Sequence, residues 1–583
     1  MLLSLVTILF LPVHVAVFAI PATSLSTLYQ DFSVKHSWGN SIPSSWIYHS
    51  SPDPTTLLTL HFRLKPSNFD QLLGNLSQTS DHFHERYGKH LSKTQADELT
   101  RPTEQTVMEV QEWFKWHGIA DGIVFSNNSQ GITLTIPVSV AETLLNTTYG
   151  IYVHVSDTQN QILRTTEYSL PRHLHAHISV VSPTTYFGST REMKKTNFLE
   201  PIRIEYDATS NSNECTSAIT PACLKDLYRT GDYSPSLTTS AKIGIVGFLE
   251  EFASISDFKS FTQNYLPNAT NATFDVVKVN GGLDDQSDPG VEANLDVQYA
   301  AMAWPIPLTY YSTGGSPPFN PDSNSPDDTN EPYLDWLNYV LGLDELPKTI
   351  SISYGDDEQT VPADYAVEVC NLFALLGSRG TSVMVSSGDA GVGGGDCQTN
   401  DGKSEVLFQP IFPASCPYVT AVGSTTGISP ETASAFSGGG FSRLFSQPSY
   451  QSAAVSTYLS NLGSTYSGLY SASGRAYPDV SAQGQKYQVI VNGGVVSVGG
   501  TSCSSPTFAS IVAYLNDFKL ATEGSTLGFL NPLLYANPSA LNDITSGSNP
   551  GCGSKGFPAT SGWDPVTGLG TPDFVRLKSI RNM

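Results

Sequence analysis

The spacing of apolar and polar residues divides the chain into two parts that fold by different rules. In the first part, Leu57–Leu64 and Gly131–Val138 alternate apolar with polar residues, the period-two signature of half-buried strands. Between them, Thr106–His117 repeats its apolar residues at helical spacing. This pattern predicts a compact α+β module. In the second part the strand candidates are short, nearly continuous apolar runs: Lys242–Phe248, Thr349–Tyr354, Thr381–Ser386 and Tyr418–Val422. Helical patterns follow the first two, at Glu250–Tyr265 and near Ala363–Leu376. Strands apolar on both faces, alternating with helices, predict an α/β domain in which helices flank a parallel sheet. Functional groups in such folds gather beyond the carboxyl ends of the strands.

Composition sharpens this division. Residues 1–194 hold 12 Lys and Arg, 15 Asp and Glu, and all 12 histidines; residues 195–583 hold 18 Lys and Arg against 38 Asp and Glu. The chain carries a net charge of −23 and no basic run, which argues against a nucleic-acid partner. Residues 2–18 form an apolar run ending in the small-x-small pattern Val17-Phe18-Ala19, and Pro12 and His14 interrupt it. This reads as a cleaved signal peptide (1–19) rather than a membrane anchor. Sequons at Asn75, Asn127, Asn146, Asn268 and Asn271 agree with secretory passage, an acidic vacuolar compartment being the alternative to secretion. Seven cysteines without a CxxC pair predict disulfides, Cys215–Cys223 first among them, and leave one thiol over. The segment 182–201 bears Arg191, Lys194 and Lys195 and reads as an exposed junction between a module at 20–195 and a domain at 196–583.

Three segments of the second domain carry chemistry. Gly499-Gly500-Thr501-Ser502-Cys503-Ser504-Ser505-Pro506 reads as a serine on a tight turn, with Pro506 in the first turn of a helix Thr507–Asp517. Free N–H groups at such a terminus suit a developing oxyanion. A serine nucleophile needs a base, and no residue after His177 is a histidine, so a carboxylate working in acid is the natural substitute. Glu292 and Asp296, four apart on a helix, project from one face as a carboxylate pair or as a solvated acidic face. Asp389 ends the third strand, where a charge is costly unless paired, metal-bound or protonated, although a turn aspartate is common there.

Taken together with Ser351-Ile-Ser-Tyr-Gly355 and Tyr477-Pro-Asp-Val-Ser-Ala482, these segments resemble the sedolisin, or serine-carboxyl peptidase, family. Arg86-Tyr-Gly-Lys-His-Leu-Ser92 and Leu99-Thr-Arg-Pro-Thr103 resemble its activation peptide. Asn330-Glu-Pro-Tyr-Leu334 and Asp356-Asp-Glu-Gln-Thr-Val-Pro362 are similar to its secreted fungal tripeptidyl-peptidase branch. The resemblance implies a subtilisin-like domain with Ser502 as nucleophile, Glu292 as general base, Asp296 supporting it and Asp389 binding the oxyanion. It also implies a calcium loop formed by the side chains of Asp543 and Asp564 and the carbonyls of Ile544, Thr560 and Gly562. The expectation is a secreted acidic zymogen that acts on peptides, releases tripeptides from free N-termini and is inhibited by its own propeptide, with no membrane partner after signal removal. An endopeptidase of the same family is the alternative, and an inactive homologue acting as a binding protein is a weaker one. The acidic, proline-rich stretch 312–335 is a candidate to block the cleft and receive the substrate's α-ammonium, against the plainer reading of a solvated loop.

Overall fold

The computed structural model describes residues 28–37, 46–126, 130–154, 161–185, 215–231, 233–236, 240–315 and 330–580, with Ile42 and Asp322. The signal segment, the Asn127 sequon, Arg191–Lys195 and most of 312–335 lie outside them.

In the N-terminal module the period-two segments pair as expected. Leu57–Leu64 lies between Gly131–Pro137 and Ile178–Ser182 in a four-stranded antiparallel sheet whose outer strand is Ile123–Phe125. Leu58, Leu60, Phe62 and Leu64 point inward and the residues between them outward. The helix Glu104–Trp116 closes that face, and Phe62 meets the rings of Trp113 and Phe114 edge-on at 6.0 and 5.2 Å between centroids. Thr103 caps the helix by accepting from the Thr106 N–H.

The C-terminal domain is built on an eight-stranded sheet. Seven strands run parallel, in the order 274–279, 308–313, 243–247, 349–352, 382–386, 420–426 and 480–483; Thr432–Ala433 adds a short antiparallel pair to the 420–426 strand. Ile243–Gly247 and Ser382–Ser386 are buried along their whole length, as strands covered by helices on both faces must be. Helix Val291–Ala300 and the long helix Thr501–Glu523 pack against one another and against the centre of the sheet. Cys215 pairs with Cys223, Cys370 with Cys416 and Cys397 with Cys552, leaving Cys503 as a buried free thiol.

One expectation is corrected. The serine-bearing helix begins at Thr501, not Thr507, so Pro506 lies inside it. Gly500 is the N-cap, at φ 156° and ψ 163°, a backbone shape essentially confined to glycine. Pro506 has no N–H to offer the carbonyl of Ser502 four residues back, which leaves one helical hydrogen bond unmade beside the serine.

Candidate active site

The parallel sheet delivers its functional groups from the carboxyl ends of three neighbouring strands. Glu251 follows strand 243–247, Ser353 follows 349–352, and Asp389 follows 382–386. The fourth contribution comes from the amino end of helix Thr501–Glu523, where Ser502 is only 3% exposed. Helix Val291–Ala300 lies alongside and brings Glu292 and Asp296 to the same place, each 1% exposed. That burial removes the reading of a solvated acidic face.

Ser502 Oγ donates a long hydrogen bond of 3.5 Å to the Ser353 carbonyl and is within reach of Glu292. The Ser353 hydroxyl donates to Asp296 Oδ1 at 2.7 Å. Among the described residues, Glu292 Oε1 and Asp296 Oδ2 have no hydrogen-bond partner. Burial holds both carboxyls well above their ordinary range; for Glu292 the neighbouring Asp296 and Glu251 push further, and the Ser502 hydroxyl partly offsets them. Glu292 and Asp296 titrate as a coupled pair, and both hold a proton more readily than an isolated carboxylate does.

Glu251 is the member that the sequence did not announce. Its carboxylate packs on the backbone of Gly290, the N-cap of helix Val291–Ala300, where a Cβ would fall 1.5 Å from Glu251 Oε2. Leu249 and Glu250 turn the chain back with positive φ values of 54° and 55°. The available signal was the glycine at 290, one residue before the helix, opposite an acidic loop.

On the other side of Ser502, Asp389 lines the cleft with partial exposure. Its Oδ1 accepts from the Thr501 N–H at 2.6 Å and the Thr501 hydroxyl at 2.9 Å, and the Gly388 N–H donates to that hydroxyl at 3.1 Å. With Oδ1 engaged as an acceptor, an acid proton belongs on Oδ2. A Cβ on Gly500 would lie 2.8 Å from Oδ2, so the glycine lets the carboxyl approach the start of the serine helix. Burial raises the carboxyl to about 6, against the two hydrogen bonds from Thr501. The Cys503 thiol is pushed well up, first by burial and then by the surrounding carboxylates, which keeps it protonated and unreactive.

The C-terminal loop brings Asp543 and Asp564 to one short segment. Asp543 Oδ2 accepts from the Ser561 hydroxyl at 3.1 Å and the Gly562 N–H at 2.9 Å. Asp564 Oδ2 accepts from the Thr560 N–H at 2.9 Å, while its Oδ1 accepts from Val566, Thr567 and the Thr567 hydroxyl. Asp564 is fully buried, its carboxyl is raised to about 7 by burial, and among the described residues no cationic side chain pairs with it. Two carboxylates drawn to one short segment are hard oxygen donors, and a buried carboxylate without a cationic partner is compatible with a divalent cation. Ile544 is buried beside Asp543, while Thr560 and Gly562 keep some exposure.

Comparison with known proteins places these features in a wider group. Residues 44–187 match the Pro-kumamolisin activation domain, and residues 319–526 match the subtilase family. Over 568 residues the chain is 40% identical to tripeptidyl-peptidase SED2 of Arthroderma otae, spanning 93% of this chain and 94% of that relative. Tripeptidyl-peptidase SED4 of the same fungus is 38% identical over 589 residues, spanning 96% of each. Among solved structures, a Pseudomonas sedolisin complexed with two molecules of pseudo-iodotyrostatin is 24% identical, with a TM-score of 0.48, across 62% of this chain and 98% of that one.

Proposed function

This chain belongs to the sedolisin family of serine-carboxyl peptidases and is a hydrolase made as a zymogen, and from that premise we propose that it removes tripeptides from the free N-terminus of peptides in acid. The observation that carries the chemistry is a serine at a helix start, flanked by a buried acid set on one side and by Asp389 on the other. Ser502 Oγ attacks the scissile carbonyl as Glu292 takes its proton, with Asp296 and Glu251 holding that proton within the set. Negative charge growing on the carbonyl oxygen meets the proton on Asp389 Oδ2. Glu292 then gives its proton to the leaving amine, and water repeats the sequence to free Ser502. What supports the length of the product is the name borne by relatives that align over more than nine-tenths of the chain.

Mass spectrometry of products from one peptide, offered unblocked and N-acetylated at acidic pH, tests this reading. Successive loss of tripeptides from the unblocked form and survival of the acetylated form are expected. Internal cleavage of both forms at equal rates identifies an endopeptidase instead.

Calcium at Asp543 and Asp564, with carbonyls of Ile544, Thr560 and Gly562, is part of the proposal, and its role there is to neutralise a buried charge and close the loop. A ligand bound only by the folded state stabilises it by about 2.7 kcal/mol at a hundredfold excess over its dissociation constant. The melting temperature is expected to fall by several degrees on chelation. The effect shrinks as pH drops through about 7, where a proton competes for Asp564. A melting temperature unmoved by chelator, or an Asp564→Asn variant that still responds to calcium like the parent, rules the site out.

Secretion is supported by the apolar segment 2–18, three disulfides, and exposed sequons at Asn146, Asn268 and Asn271. No helix among the described residues is long and apolar enough to cross a membrane. The N-terminal module acts as the inhibitor in this reading, held on the enzyme by contacts such as Arg63 to Glu368 at 2.8 Å and Lys35 to Asp364 at 3.4 Å.

A further inference from the structure

We propose that His90 is the acid-sensitive latch of the zymogen: a neutral imidazole seated in a glycine-walled pocket of the catalytic domain, which acid ejects by charging it. The inference rests on the reading of the N-terminal module as an inhibitor, and it names the residue through which pH acts.

The pocket is shaped for this ring. Gly380 and Gly528 form two of its walls, and both have positive φ, +85° and +64°. A Cβ on Gly380 would come within 2.8 Å of His90 Cδ2, and one on Gly528 within 2.5 Å of Cε1. Residues on both sides of the ring are docked as well. The Tyr87 ring lies under Lys519 Nζ at 4.7 Å, Gly88 lies against Ser525, and the Leu91 N–H donates to the Ser378 carbonyl at 2.8 Å.

The hydrogen bonding fixes the tautomer and leaves an added proton unpaired. His90 Nε2 is 2.8 Å from the Thr526 carbonyl, which can only accept, so Nε2 carries the proton. Among the described residues the buried Nδ1 has no partner, so a proton added there would have no acceptor. The charged groups felt at the ring are Lys519 on the serine helix and Lys348 before strand 349–352, both cations that repel an imidazolium. Glu523 accepts from Lys519 at 2.6 Å and tempers that charge without reaching the ring. Burial is the largest effect; the Thr526 hydrogen bond opposes it, the two lysines add to it, and the ring is held down to about 4 from its ordinary 6.5.

The sign follows. A histidine depressed in the docked state and ordinary in the released one leaves docking unaffected above about pH 6.5. Docking then weakens by up to about tenfold for each pH unit down to about 4. Release therefore falls in the range where a carboxylate-based peptidase begins to work.

The test uses the full-length Ser502→Ala precursor, so that no self-cleavage intervenes. Hydrogen exchange of residues 87–91 and 526–530, corrected for intrinsic rates, is followed from pH 7.5 to 4. Protection is expected to fall steeply below 6.5 in this precursor and to stay nearly level after adding His90→Gln, whose amide still donates to Thr526. A level profile in the precursor, or the same slope in the His90→Gln form, overturns the latch. If His90→Gln fails to dock at neutral pH, the ring titration of His90 by NMR in the Ser502→Ala precursor decides. A midpoint well below 6.5 supports the latch, and one at 6.5 overturns it. Conversion of the wild-type precursor in acid reports separately on the zymogen reading, since a failure there leaves the exchange profile intact.

Discussion

Glu292→Gln is expected to lower kcat/KM by about two to four orders of magnitude while leaving the fold intact. The amide has the shape of the carboxylate but cannot take the Ser502 proton, and no histidine of the catalytic region can replace it. Stability points the other way from activity. Glu292 is fully buried beside Asp296 and Glu251, each of which raises the cost of its charge. A neutral side chain removes that repulsion, so the melting temperature of the variant at neutral pH should match or exceed that of the parent. The same change should stop self-conversion of the precursor, as should Ser502→Ala. Retention of more than a tenth of parental kcat/KM by Glu292→Gln would falsify the assignment of the base.

Asp389 separates two variants that remove the same charge. Asp389→Ala is expected to cost about a hundred- to thousandfold in kcat, the usual penalty for a lost oxyanion donor. Asp389→Asn keeps an acceptor for Thr501 at the Oδ1 position and places a permanent donor where the Oδ2 proton was. The pH profile is the sharper readout. Burial lifts this carboxyl from 3.8 to about 6, so it is protonated below that value and loses its donor as pH rises through it. Parental kcat/KM should therefore decline above about 6, and Asp389→Asn should lose that descending limb. The same linkage makes this group favour the folded state below 3.8, an effect lost as pH rises through about 6. An unchanged descending limb in the asparagine variant excludes Asp389 as the donor.

Much of the architecture was legible because burial on two faces leaves a plain mark. The strands at 243–247, 349–352 and 382–386 are continuous apolar runs, and they stand within a residue or two of where the pattern places them. The strands Phe274–Val279 and Leu308–Thr313 were not announced. The first lies at the open edge of the sheet with exposed residues along its length, and the second mixes threonine and serine with tyrosine, so neither reads as a buried run. The helix start at Thr501 was misplaced because Pro506 is an ordinary first-turn residue, whereas here Gly500 begins the helix against Asp389.

The sequence by itself determined the chemistry available: a serine after two glycines, two carboxylates four apart, an aspartate after a strand, and no histidine within the domain that bears them. Those are local facts, carried by spacing along the chain. It left open whether Glu292 and Asp296 face water or one another's charge, because a helix shows its period but not what covers it. Tertiary structure decided that by burying both, and it added Glu251, 41 positions before Glu292, through the missing Cβ of Gly290. It also paired Cys370 with Cys416 and Cys397 with Cys552, and set His90 between Gly380 and Gly528. Each of those outcomes depends on distances between residues far apart in the chain, which packing sets and no local pattern records.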